Sequence, residues 1–327
     1  MIAHDLLFVA LGLVILLLAG DALVRGAVNI ALRLGIPAMI VGLTVVAFGT
    51  SAPELLVAIQ AVLVGAPGLA LGNVVGSNIA NILLVLGLPA LIAAVPVEGR
   101  ALWRSYATML AASGLFIGLA FIGPIVWWHA LILLAGLFAM LADSALQANN
   151  HRNGQRAAAA AAPDPEEELE GADPQMSWLR IGLFTVLGII GLPLGADLLV
   201  DGSVRIAERL GVDDVLIGLT LVAVGTSLPE LATTLMAAIR REAGVAMGNV
   251  IGSNVFNLLG IIGVAGLVGP LPVPTAMLGF DLWVMLAASL LLLPFLIANR
   301  PIGRAAGLGL VGLYAIYVAA LIRMAGI

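Results

Sequence analysis

Gly49-Thr50-Ser51-Ala52-Pro53-Glu54 returns as Gly225-Thr226-Ser227-Leu228-Pro229-Glu230, and Gly72-Asn73-Val74-Val75-Gly76-Ser77-Asn78 returns as Gly248-Asn249-Val250-Ile251-Gly252-Ser253-Asn254. The two blocks keep one offset, from 49 to 225 and from 72 to 248, so no insertion separates the copies. Over 42–83 and 218–259 the halves match at 22 of 42 positions. Each copy sets a carboxylate and several hydroxyl and amide oxygens into otherwise apolar sequence. Such groups are costly in lipid, and a membrane chain with two matched sets is expected to use them for binding.

That the surroundings are lipid follows from composition. The chain is 62% hydrophobic and 10% charged, with a mean hydropathy of +1.15, which describes a polytopic membrane protein. Without cysteine, disulfides, thiolate metal sites and Cys nucleophiles are excluded. All basic residues are arginine, which removes Schiff-base and P-loop lysine chemistry. The net charge of −5 comes mostly from one acidic segment and gives no footprint for nucleic acid. The first apolar stretch has no basic residue before it and reads as a retained helix rather than a cleaved signal.

Apolar runs long enough to span a bilayer fall at 5–24, 37–64, 68–95, 102–121, 125–146, 179–201, 213–239, 244–268, 275–298 and 302–323. The expected fold is an all-α polytopic membrane protein of ten transmembrane helices. Residues 1–146 and 178–327 form two five-helix repeats, joined by an acidic, alanine-rich linker at 147–177. The linker holds Pro163-Asp164-Pro165-Glu166-Glu167-Glu168, cannot bury a core and reads as solvated. An odd number of spans per repeat turns the second copy upside down, giving an inverted repeat. Alternate loops place eleven arginines on one face and only Arg205, Arg209 and Arg323 on the other. The positive-inside rule makes the eleven cytoplasmic, with both termini outside and the linker inside. Trp103, Trp127, Trp128 and Trp178 fall at predicted helix ends as interfacial anchors.

Within the second span, Thr50, Ser51 and Glu54 share one helical face. Pro53 and Gly49 are expected to kink the helix there and to leave carbonyls near Ala47 and Phe48 without partners. Carbonyls, hydroxyls and a carboxylate are the oxygen donors that Na+ and Ca2+ prefer. The third span adds Asn73, Ser77 and Asn81 at i, i+4 and i+8. The second half repeats the set with Ala223, Thr226, Ser227 and Glu230, then Asn249, Ser253 and Asn257. Folded about the two-fold, Glu54 and Glu230 meet near mid-membrane, where two carboxylates match one divalent cation. Any single Ser, Thr or Asn here could equally back-bond to its own helix or glue helices together. The two glutamates resist that reading, because neither motif contains an arginine to neutralise them. Asn78 and Asn254 point about 100° off the stripe, a helix's rotation per residue, and read as packing or capping residues. Asp21 and Asp197 are placed near helix ends as structural or gating groups, with Arg25 at i+4 from Asp21.

The paired GTSxPE and GNxxGSNxxN blocks, in ten spans split by a linker, resemble the two α-repeats of the cation/Ca2+ exchanger superfamily and most closely its prokaryotic Na+/Ca2+ exchangers. The resemblance implies adjoining cation sites in a diamond formed by the second, third, seventh and eighth spans. Carried across, Glu54 and Glu230 are shared central ligands. Thr50, Ser51, Thr226, Ser227, Ser77 and Ser253, with the Ala47 and Ala223 carbonyls, serve the flanking sites, and Asn81 and Asn257 the middle. Some relatives carry aspartate where Asn257 stands, and in the K+-dependent branch an acid there goes with K+ use. Its absence argues for K+-independent exchange of Na+ for Ca2+ by alternating access. The transported ions are then the only ligands, with no separate cofactor, and the bilayer of a bacterial or archaeal cell is the setting. No protein partner is implied. An H+/Ca2+ exchanger on the same scaffold and a passive cation channel are the rival readings. An intramembrane hydrolase is disfavoured, since His4, His129 and His151 all lie outside the motifs.

Overall fold

The computed structural model describes residues 2–97, 99–159, 173, 175–209 and 223–324, and these are almost entirely helical. Among them, eight helices are long and apolar enough to cross a bilayer, and a bent pair makes a ninth span. In chain order they are α1 (Ile2–Leu34), the pair α2 (Ala38–Thr50) and α3 (Ala52–Leu63), α4 (Pro67–Ile92), α5 (Arg100–Ile122) and α6 (Trp127–Ala159). There follow α7 (Trp178–Arg209), the shorter α8 (Leu228–Ile239), α9 (Ala243–Val268), α10 (Thr275–Ala298) and α11 (Arg304–Met324). Of the run expected at 213–239, α8 supplies the second part, and 213–222 lies outside the described residues.

Three helices outrun the hydropathy. α1 continues to Leu34, and α7 to Arg209, so Asp21 and Asp197 are interior residues rather than helix-end ones. The helix survives its charges because they are paired: Arg25 Nε donates to Asp21 Oδ2 at 2.9 Å, one turn away. α6 likewise runs past 146 to Ala159. The far end of the linker is docked rather than free in solvent. Asp173 N–H donates to Asn29 Oδ1 at 2.9 Å, and Arg33 donates to the Met176 carbonyl at 2.6 Å. Most of the acidic stretch between them lies outside the described residues.

α1 and α7 lie against each other backbone to backbone. A Cβ built on Gly12 would sit 2.5 Å from Leu199 N, and one on Gly195 would sit 2.8 Å from Leu16 N. Small residues of this kind hold helices together in lipid, where no hydrophobic effect drives association. The pair is pinned at one end by Asp5, which bridges Arg205 and Arg209 at 3.1 Å each. In the interior of α1, Asp21 also takes a charge-assisted bond from Arg240, just beyond α8, which ties α1 to that helix. That tie joins residues 219 positions apart and is invisible to helix periodicity. Asp21→Asn is expected to strand both guanidiniums at a site only 18–20% exposed on the Asp21–Arg240 pair. The cost is about 1–3 kcal/mol, between values for exposed and fully buried pairs, and a lowered thermal unfolding midpoint would register it.

The remaining helices interlock the two halves. Two short backbone clasps hold loops together, Val95 with Ile302 and Ile125 with Leu271, each through reciprocal bonds of 2.8–3.0 Å. They give hydrogen bonds to amides that no helix serves. α9 is pressed onto α2 at Gly252, whose added Cβ would sit 2.5 Å from Leu43 O. Among the described residues, three helices each widen into a π-helical turn, at Gly42–Val46, Asn81–Val85 and Phe256–Ile261. Such turns are rare and gather at functional sites. Here two of them begin at or beside Asn81 and Asn257.

Candidate functional site

The repeated motifs converge where the α2–α3 break and the start of α8 meet the middles of α4 and α9. Thr50, Ser51, Glu54, Ser77, Asn81, Ser227, Glu230, Ser253 and Asn257 are all buried there, none more than 4% exposed. Ala47 is buried beside them, Thr226 is half-buried, and Ala223 opens a short turn of helix, Ala223–Gly225. The predicted set is thus brought together.

The two carboxylates come from opposite halves, and both are buried. Ser51 Oγ, from the first half, donates to Glu230 Oε1 at 3.0 Å. No ion pair among the described residues involves either glutamate. No cluster of three or more acidic or histidine side chains forms among the described residues, so the negative charge is that of the two acids.

The hydroxyls and amides cross between halves in the same way. Thr50 Oγ1 lies 3.2 Å from Asn249 Oδ1 and 3.3 Å from the Ala47 carbonyl. Its counterpart Thr226 donates to Asn73 Oδ1 at 3.4 Å. Asn249 in turn donates to Thr234 Oγ1 at 3.0 Å and to the Glu230 carbonyl at 3.3 Å.

One expectation about the break fails. The Ala47 carbonyl is not without a partner, since it accepts the Ser51 amide at 3.0 Å as well as facing the Thr50 hydroxyl. The chain turns at Ser51, so Pro53 falls in the first turn of α3, where a missing N–H costs nothing. The carbonyl deprived of its donor is that of Gly49, four residues before Pro53. The halves differ here: the Ser227 amide donates one residue later, to Val224 O at 3.0 Å.

Asn78 and Asn254 are the residues that sequence reasoning undervalued. Each donates through Nδ2 to the other's main-chain carbonyl at 3.4 Å, and each accepts a bond from a site amide. Asn81 Nδ2 donates to Asn254 Oδ1 at 3.0 Å, and Asn257 Nδ2 donates to Asn78 Oδ1 at 3.1 Å. The signal lay in their own repetition within the motif, which their angle off the stripe obscured.

What remains is a set of buried oxygens given no hydrogen bond by any described residue. They are Glu54 Oε2, Glu230 Oε2, Asn81 Oδ1, Asn257 Oδ1, Ser227 Oγ and Ser253 Oγ. Buried polar atoms are nearly always paired, and each orphan costs about 1–3 kcal/mol, more when charged. Six together, all able to donate electron pairs, form a surface suited to a cation.

Comparison with known proteins agrees. A family model described as "Sodium/calcium exchanger protein" matches residues 4–142 and 181–323, most of both halves. The chain is 37% identical to the sodium/calcium exchanger MaX1 of Methanosarcina acetivorans, covering 98% of this chain and 99% of that one. It is 38% identical to the putative antiporter CaxA of Alkalimonas amylolytica over 88% of each. Among solved structures it is similar to the sodium-calcium exchanger NCX_Mj, in crystals soaked with Na+ and Sr2+. That match has a TM-score of 0.81 and 33% identity over 98% of this chain and 99% of the other. On these matches, carried over nearly the whole length, the chain belongs to the sodium/calcium exchanger family of membrane transporters.

Proposed function

We propose that the protein exchanges Na+ for Ca2+ across a prokaryotic cell membrane by alternating access, without K+. The observation that carries this reading is the group of six buried oxygens, two of them from the carboxylates of Glu54 and Glu230, that have no hydrogen-bond partner among the described residues. Glu54 and Glu230 are the shared ligands. Ser51, Ser77, Ser227, Ser253, Thr50, Thr226, the Ala47 and Ala223 carbonyls, and Asn81 and Asn257 complete the coordination. An oxygen set of this size suits the six to eight ligands of Ca2+.

Coupling follows from charge. With no cation, two carboxylates in a low-dielectric bundle repel and are poorly solvated, which opposes sealing the site. One Ca2+, or enough Na+, cancels them and lets the site close and reopen on the other side. Competition for one carboxylate pair then suffices to link the two flows. The chain is arranged as ten spans in two inverted five-helix repeats, with termini outside and the linker in the cytoplasm. α1 and α7 move over a core formed by the other helices.

The test is Ca2+ uptake by proteoliposomes under separately imposed gradients. An outward Na+ gradient is expected to drive uptake, and replacing K+ by choline to leave the rate unchanged. A second reading rests on Glu54 Oε2 and Glu230 Oε2, each of which could hold a proton in place of Na+. Uptake driven by a pH step alone, in Na+-free medium, would favour H+/Ca2+ exchange instead. Uptake that needs no counter-ion would mark a channel.

A further inference from the structure

An amide side chain is useful to a cation at one end only. Its oxygen attracts the ion, and its NH2 group repels it, yet the two ends have nearly the same shape. A site that relies on Asn81 and Asn257 must therefore fix which end faces inward.

The hydrogen-bond chain through Asn78 and Asn254 does so, starting from groups that can only accept. Asn254 Nδ2 faces the Asn78 main-chain carbonyl at 3.4 Å and Met109 Sδ at 3.6 Å. Asn78 Nδ2 faces the Asn254 carbonyl at 3.4 Å and Met285 Sδ at 3.7 Å. Neither a main-chain carbonyl nor a thioether can donate, so the NH2 end of each asparagine is committed to that side. Their oxygens must then point the other way, where they accept from Asn81 Nδ2 at 3.0 Å and Asn257 Nδ2 at 3.1 Å. This leaves Asn81 Oδ1 and Asn257 Oδ1 buried with no partner among the described residues. Polarity is thus relayed from the backbone, through one amide, to the next.

We propose that Asn78 and Asn254 are positioning residues that set the amide polarity of the two middle ligands, each acting on the ligand of the opposite half. Asn78 governs Asn257, and Asn254 governs Asn81. The inference rests on the cation site proposed above and assigns it a crossed support that neither repeat supplies alone. Asn78 and Asn254 themselves stay out of contact with the ion.

A double-mutant cycle tests the crossing, with radiolabelled Ca2+ binding to the purified full-length protein as the readout. Asn78→Leu removes the acceptor while keeping the same branched heavy-atom skeleton and is expected to weaken Ca2+ binding about tenfold, within the range for directly coupled neighbours. In an Asn257→Ala background the same change is expected to cost nothing further, while in Asn81→Ala it costs its full tenfold. Asn254→Leu is expected to show the reverse pattern. A general packing defect would weaken binding equally in both backgrounds, and that result overturns the proposal. If Asn78→Leu fails to fold, Asn78→Asp serves, since it keeps the acceptor for Asn257 and loses the donors. Its Ca2+ affinity is expected to be at least that of the wild type, and a tenfold loss overturns the proposal. Glu54→Gln and Glu230→Gln run alongside. Wild-type binding in both would overturn the cation site itself, whereas lost binding there without Asn78–Asn257 coupling would overturn the positioning alone.

Discussion

Glu54→Gln or Glu230→Gln is expected to abolish Na+-driven uptake of radiolabelled Ca2+ into proteoliposomes. Both side chains are 1% exposed, and no ion pair with another described residue compensates either. Deleting one partner of a buried charge interaction costs about 3–5 kcal/mol. Applied to a bound cation, that lowers affinity by roughly two to three and a half orders of magnitude. The same substitutions carry an opposite sign in the cation-free protein. There each removes one member of a repelling pair, so the metal-free thermal midpoint is expected to rise while the extra stabilisation by Ca2+ disappears. Stability without the ion and affinity for it thus move in opposite directions, a pattern that simple misfolding cannot produce. Wild-type uptake in both variants would remove the proposed ligands.

Gly12→Leu is expected to be nearly as damaging for a different reason. The new Cβ would lie 2.5 Å from Leu199 N and 2.7 Å from Gly195 O, both main-chain atoms that no rotamer change can move aside. Overpacking of this kind costs about 3 kcal/mol or more. α1 and α7 can only separate, and lipid supplies no force to draw them back. Transport is expected to fall at least tenfold, with a lower unfolding midpoint and wild-type amounts of protein in the membrane. Gly118→Leu is the control, because an added Cβ there meets no described atom within 4 Å. Equal behaviour of the two variants would show that the α1–α7 contact is dispensable.

The repeated motifs made the site legible before any coordinates, because expensive groups placed twice at one offset leave few other readings. Helix positions followed from hydropathy, and the burial of Glu54 and Glu230 from the lack of a nearby arginine. Three features were out of reach for definite reasons. Helix ends beyond the apolar runs depended on pairing partners, such as Arg240 for Asp21, that lie far away in the chain. The fate of the Ala47 carbonyl depended on where the turn falls, because helical bonding continues up to Ser51, whose amide reaches that carbonyl. The role of Asn78 and Asn254 needed distances across the two-fold, because along either helix alone they point away from the motif's stripe.

A carrier that opens to both sides at once becomes a leak, and most devices against this need one gate to learn the state of the other. In the alternating access proposed above, with α1 and α7 as the moving pair, backbone contact between them, pinned by Asp5 to Arg205 and Arg209, would remove that need. Two rods joined along their length tilt as a single plank, and a tilt that widens one mouth narrows the opposite one. The glycines that let these helices touch thereby make simultaneous opening mechanically awkward, and no signal has to pass through the site.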